Sequence, residues 1–163
     1  AVQSALTGHL VFTTIHANNV FDVIGRFTQM EVDPYSFVSA LNAVVAQRLI
    51  RLVCTGCATP VVPDESELRA SGLSAQDSGH YRFVHGAGCG RCRGTGYRGR
   101  TAIAELLHLD DEIRQMIVER KPISQIKQYA CGRGLRLLRG SALELVRDGR
   151  TTLEEINRVT FIS

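Results

Sequence analysis

The sequence predicts an α/β chain in three parts, and three observations carry that expectation. A β-branched, aromatic run near the start of residues 1–53 is followed by segments of helical period. Residues 54–100 are rich in Gly, Pro and Ser and hold four cysteines in two pairs, with too little apolar periodicity to build a core unaided. Residues 101–163 begin as a strand and continue as short helical patterns.

Each element follows from local pattern. His9-Leu-Val-Phe-Thr-Thr-Ile-His16 alternates little, which predicts a strand buried on both faces of a parallel sheet. Asn18 or Asn19 can cap a helix whose apolar positions Val20, Phe21, Val23, Ile24, Phe27 and Met30 recur at helical spacing. Asp33-Pro34 supplies a cap and first-turn proline for a second helix, with Phe37, Val38, Leu41, Val44 and Val45 on one face. Leu49 to Val53 is a short apolar strand that delivers the chain to Cys54, and Thr101 to Leu109 is another. Asp110 opens a helix bearing Ile113, Met116 and Ile117, and Pro122 starts one through Ile126 and Tyr129. Leu135, Leu138, Ala142, Leu145 and Val146 mark a third, closed by Gly149. Thr152-Leu-Glu-Glu155 reads as a capping box for the last helix, which carries Leu153, Ile156 and Val159.

The 163 residues suffice for one ordinary domain or two small ones. Apolar residues at 44% and charged residues at 21% are those of a folded domain, so burial can offset chain entropy. No apolar run approaches the roughly 18 residues of a membrane span, and no basic-then-apolar leader opens the chain. A soluble, intracellular protein with no direct membrane span is therefore expected. The chain begins at Ala1 and runs at once into strand-like residues, as expected of a piece of a longer polypeptide.

Five cysteines are an odd number, and a chain with its own core needs no disulfide framework. Cys54-Thr-Gly-Cys57 and Cys89-Gly-Arg-Cys92 are two CxxC pairs separated by 31 residues, a spacing that supplies four thiolates to tetrahedral zinc. Four thiolates saturate the metal, so the zinc predicted is structural; a catalytic zinc keeps one position open for water. A redox pair is the competing reading, and His80 or His85 lies close enough in sequence to replace one cysteine. Cys131 sits alone on a helical pattern and is expected to be an inert core thiol. The net charge of +3 is too mild to imply nucleic acid. Arg82, Arg91, Arg93, Arg98 and Arg100 nevertheless fall between Ser78 and Ala104 without one acidic residue. Four thiolates around a divalent ion leave a negative cluster that these arginines would offset.

Several motif matches fail on context. Gly94-Thr-Gly96-Tyr-Arg-Gly99 fits GxGxxG but precedes a strand instead of a helix, and Ser124-Gln-Ile-Lys127 fits SxxK without its companion motifs. No Lys is followed by Ser or Thr, so these residues contain no phosphate loop. His9 and His16 would stand about 23 Å apart on an extended strand, too far to share a metal ion. His16 is expected at the carboxyl end of that strand, the edge where open parallel sheets bind ligands, and His9 at the opposite edge.

Ala5-Leu-Thr-Gly-His9-Leu-Val-Phe-Thr-Thr-Ile-His16-Ala-Asn18 resembles the histidine box of the ATPases that drive type II secretion and type IV pilus assembly. Ala46-Gln-Arg-Leu49, followed by Arg51 to Cys54, resembles the approach to that family's first CxxC. Gly88-Cys-Gly-Arg-Cys92-Arg-Gly-Thr-Gly-Tyr97-Arg-Gly-Arg100-Thr, with Glu105-Leu106 after it, resembles the second pair and its tail. The resemblance implies the C-terminal part of a general secretory pathway protein E-like motor. It implies the last portion of a RecA-like domain over 1–53, a tetracysteine zinc subdomain over 54–100, and a strand plus helical region over 101–163. Carried over by position, His16 would contact the terminal phosphate region, His9 would belong to the same box, and Cys54, Cys57, Cys89 and Cys92 would bind zinc. ATP and magnesium would bind in the intact parent, whose phosphate loop, acidic box and Walker B segment lie upstream, so this chain is expected to be inactive alone. The family works as a ring, usually a hexamer, held at the inner membrane through components of the secretion or pilus machine. Ala17, Asn19 and Glu31 depart from the family's frequent Thr, Asp and Gly.

Two further readings come from other classes. Cys89-Gly-Arg-Cys92-Arg-Gly94-Thr-Gly96 also fits one CxxCxGxG repeat of a chaperone-type zinc module, although such modules carry several copies. A zinc-ribbon nucleic-acid binder suits the arginines but lacks interleaved aromatics, Tyr97 excepted.

Overall fold

In the computed structural model, which describes residues 1–30, 32–74 and 76–161, helices and strands mix along the chain. Their order is α1 (Val2–Leu6), α2 (Val20–Gln29), α3 (Pro34–Ala40), β1 (Ala43–Val53), β2 (Ala58–Pro60), α4 (Glu65–Ala70), β3 (Val84–Gly86), β4 (Tyr97–His108), α5 (Asp111–Val118), α6 (Ile123–Gly132), α7 (Leu138–Arg147) and α8 (Leu153–Val159). Strand β1 pairs with β4, and β2 pairs antiparallel with β3. The Leu109 N–H donates to the Asn42 carbonyl at one end of the longer pair, and the Cys54 N–H donates to the Gly96 carbonyl at the other. Strands β1 and β4 therefore also run antiparallel.

The residues divide into two compact units, Ala1–Ala46 with Ala104–Leu137 and Gln47–Ile103 with Leu138–Ser163. Residues 138–163 thus group with the cysteine region. The first unit is built on α2, whose Val20, Phe21, Val23 and Ile24 bury one helical face as their spacing predicts. Asn19 caps that helix by accepting the Asp22 N–H at 2.8 Å, so the departure from Asp at this position keeps the capping oxygen. Phe37 and Val38 of α3, Leu107 of β4, Ile113 of α5 and Ile126 of α6 complete the core. Asp110 caps α5 by accepting the Ile113 N–H at 2.9 Å, as predicted. Glu31 lies outside the described residues.

Several expectations are corrected. Residues 9–16 form no strand: the described strands pair as β1 with β4 and β2 with β3, and neither ladder includes this segment. Leu10 and Phe12 are accordingly 80% and 88% exposed. Val44 and Val45 leave the predicted helix face: Leu41 is already extended, and the two β-branched residues join β1 opposite β4. Cys131, expected in the core, is exposed on α6.

In the second unit one carboxylate gathers several hydrogen bonds. Thr152 caps α8 by accepting the Glu155 N–H at 3.1 Å, but Glu155 does not complete the capping box. Its fully buried side chain instead accepts the Arg51 N–H at 2.9 Å and Nε–H at 2.8 Å, and the Arg158 Nε–H and Nη2–H at 2.9 and 2.8 Å. The Arg51 guanidinium lies 4.1 Å from the centre of the Tyr97 ring, and the Tyr97 hydroxyl meets Thr152 Oγ1 at 2.7 Å. Helix α8 is thereby tied to Arg51, three residues before Cys54, and to Tyr97, five residues after Cys92.

Burial alone would raise the Glu155 pKa, but hydrogen bonds from Arg158 and Arg51 outweigh it and hold the carboxyl at about 2, against an ordinary 4.5. Its contribution to stability is therefore complete above pH 4.5 and is lost as pH falls toward 2. Both arginine partners meet solvent, so screening leaves on the order of 2 kcal/mol. The melting temperature should fall with pH below about 4.5, and Glu155→Gln should flatten that slope while lowering the melting temperature near neutral pH. Identical slopes in the two proteins would contradict the clamp.

Candidate metal centre and histidine segment

Each CxxC folds as a tight turn. The Cys57 N–H donates to the Cys54 carbonyl at 3.1 Å, and the Cys92 N–H donates to the Cys89 carbonyl at 3.2 Å. The Ala87 N–H reaches the Cys57 carbonyl at 3.0 Å, linking the first turn to the segment that carries the second. Arg93 turns left-handed at φ 54°, and the Gly94 N–H then closes onto the Cys89 carbonyl at 3.0 Å. Glycine is required where the two segments cross. A Cβ on Gly86 or Gly96 would run into the backbone of the other, and Gly96 also sits at φ 76°.

These turns bring together the four cysteines singled out by spacing. Their Sγ atoms all lie within 4.8 Å of one another, close enough to hold a metal ion. The Cys54–Cys89, Cys57–Cys92 and Cys89–Cys92 sulfur separations are 3.9, 3.8 and 3.8 Å. Those distances far exceed the roughly 2.05 Å of a disulfide. They match the edge of a sulfur tetrahedron around zinc, which is about 3.8 Å for Zn–S bonds of about 2.3 Å. The donor set therefore fits a closed four-thiolate zinc site. Among the described residues no histidine joins the group, so His80 and His85 stand outside it.

The electrostatics favour a thiolate at one corner. Burial works against ionising Cys92, but the N–H groups of Cys89 and Gly96 point at its sulfur from 3.1 and 3.3 Å and bring its pKa down to about 6. Cys57, which burial and its neighbouring thiols push up to about 12, needs a cation to give up its proton. Arg82, Arg91, Arg93, Arg98 and Arg100 are all exposed. Arg91 lies against the first turn, its Cδ at 3.1 Å from where a Gly56 Cβ would stand.

The two histidines lie on a different part of the chain. His9 Nδ1 is 3.1 Å from Thr7 Oγ1 and 3.2 Å from the Ser4 carbonyl, a local arrangement in the turn after α1. His16 is exposed on the irregular segment before α2, not at the edge of a parallel sheet. The sequence carries no signal for the clamp formed by Arg51, Tyr97 and Glu155, since Arg51 and Glu155 are 104 residues apart and the Thr152-Leu-Glu-Glu155 pattern reads as a capping box.

Residues 1–158 match the family described as type II/IV secretion system proteins, and the chain belongs to that family. The resemblance carried by the histidine box and the cysteine segments is thereby borne out. The type IV pilus assembly ATPase PilB of Thermus thermophilus is 46% identical over 156 residues, which cover 96% of this chain and 18% of that protein. The type II secretion system protein E of Pseudomonas aeruginosa is 38% identical over 161 residues, covering 98% of this chain and 31% of the relative. That of Aeromonas hydrophila is 40% identical over 165 residues, with the same two shares. The chain thus spans less than a third of the length of these relatives. Among the described residues no helix is long and apolar enough to cross a membrane.

The close crossing of Gly86 and Gly96 yields a direct test. Gly96→Ala adds a side chain both to a left-handed residue and to a backbone contact, and should destabilise the second unit by about 2 kcal/mol or more. Denaturant unfolding checks it; a change below about 0.5 kcal/mol would contradict the crossing.

Proposed function

We propose that this chain is the C-terminal part of a motor ATPase that couples ATP hydrolysis to type II secretion or type IV pilus assembly. The observation that carries the reading is the family match over residues 1–158, together with relatives named as pilus assembly ATPases and type II secretion proteins. In this reading residues 1–53 complete a RecA-like motor domain, 54–100 form a zinc subdomain and 101–163 a strand plus helical region. ATP and magnesium bind to the intact motor, and the present residues, which hold no Lys-Ser or Lys-Thr pair, do not hydrolyse ATP alone. The motor is a ring, a hexamer, in the cytoplasm, peripheral to the inner membrane through its partners in the machine.

Cys54, Cys57, Cys89 and Cys92 hold structural zinc, and the spacing of their sulfurs supports this. Zinc bound there supplies a cross-link between two turns and no open position for chemistry. His16, exposed and followed by a capped helix, contacts the phosphate region or positions a neighbouring group, with His9 in the same box.

Metal analysis of the purified chain should find one zinc per chain, and a chelator strong enough to remove it should loosen the cysteine region. Well under one equivalent, with four free thiols and an unchanged fold, would overturn the zinc reading. In the intact motor, His16→Ala should slow ATP turnover roughly 10- to 100-fold at normal zinc content. Cys54→Ser should instead lose zinc and melt early. Parental turnover in His16→Ala would return His16 to a structural role.

A further inference from the structure

We propose that Glu105 is a positioning residue that holds the His16 segment in register, an inference that rests on the role proposed for His16. Glu105 lies on β4 and is only 3% exposed. Its Oε1 accepts the Val20 N–H at 2.7 Å, a contact across 85 residues of chain. Val20 is the first residue of α2 and is itself fully buried.

The bond completes a rigid joint. A helix leaves its first N–H groups without intrahelical partners. Here Asn19 Oδ1 accepts the N–H of Asp22 at 2.8 Å and Glu105 accepts that of Val20, while Asp22 Oδ2 reaches back to the N–H of Asn18, ahead of the helix, at 3.2 Å. Residues 18–22 are thus locked to one another by local bonds and to β4 by Glu105. A carboxylate at that end of the helix is also favoured by the helix dipole. His16 stands two residues before this joint, exposed and outside any helix or strand. The joint from which residues 16 and 17 leave is therefore held to β4 by a carboxylate in a distant part of the chain.

A plain stabilising cap and a positioning group differ in what they do to His16-dependent turnover. The test is a double-mutant cycle in the full-length motor, with Glu105→Ala and His16→Ala alone and together, reading kcat, KM for ATP, zinc content and melting temperature. Glu105→Ala should lower kcat about 5- to 20-fold with KM changed less than about 2-fold, and should cost less than about 2-fold further once His16 is Ala. Glu105→Gln, which keeps an oxygen for the Val20 N–H, should recover at least half of the parental kcat. Equal losses in both backgrounds, or parental kcat in Glu105→Ala, would overturn the inference. His16→Ala turning over at the parental rate would overturn the His16 reading itself, which the cycle reports separately. Should Glu105→Ala fail to fold, Val20→Pro removes the donor instead, at a helix position and after an extended residue where proline is tolerated. It should reproduce the kcat loss in the His16 background alone, and any other pattern would overturn the inference.

Discussion

Four sulfur atoms gathered within 4.8 Å of one another are the constraint on which the second unit depends. Between Cys54 and Arg100 the chain buries few large apolar side chains, among them Leu68, Leu73 and Val84, and its strands β2 and β3 are three residues each. Such a stretch offers little hydrophobic gain against its conformational entropy. Four thiolates at these separations would repel one another without a cation, so the geometry is one that suits a metal ion.

The cluster is held from outside as well as from within. Arg51 and Tyr97 flank it in sequence, and both are engaged by the start of α8 through Glu155 and Thr152. Thr151 Oγ1 adds a bond to the Arg51 carbonyl at 2.8 Å, and the Val53 N–H reaches the Arg150 carbonyl at 2.9 Å. Residues 150–155 therefore strap the strand that leads into Cys54. This explains why the last helical region groups with the cysteines and not with the helices that precede it in sequence.

Legibility in the sequence followed the range of the interaction. Helix caps at Asn19, Asp33, Asp110 and Thr152 were visible because a cap is decided within four residues, and each accepts the N–H its spacing predicts. The four metal-ligand candidates were visible because a tight turn needs only the CxxC spacing. Residues 9–16 misled because β-branched composition records a tendency to pair, and pairing needs a neighbouring strand that a one-dimensional pattern cannot supply. Val44 and Val45 misled in the opposite sense, since their spacing continued the helix of α3 while their branching suited β1. Glu155 reads as the last residue of a capping box and Glu105 as part of a strand; only the folded chain shows each accepting N–H groups from residues 104 and 85 positions away.

X-ray absorption at the zinc edge of the purified chain reads directly whether the paired cysteines close completely around one structural zinc. A single shell of four sulfurs at about 2.3 Å and no lighter ligand is expected. A shell of three sulfurs with a nitrogen or oxygen would contradict it, because one corner would then be open to histidine or water.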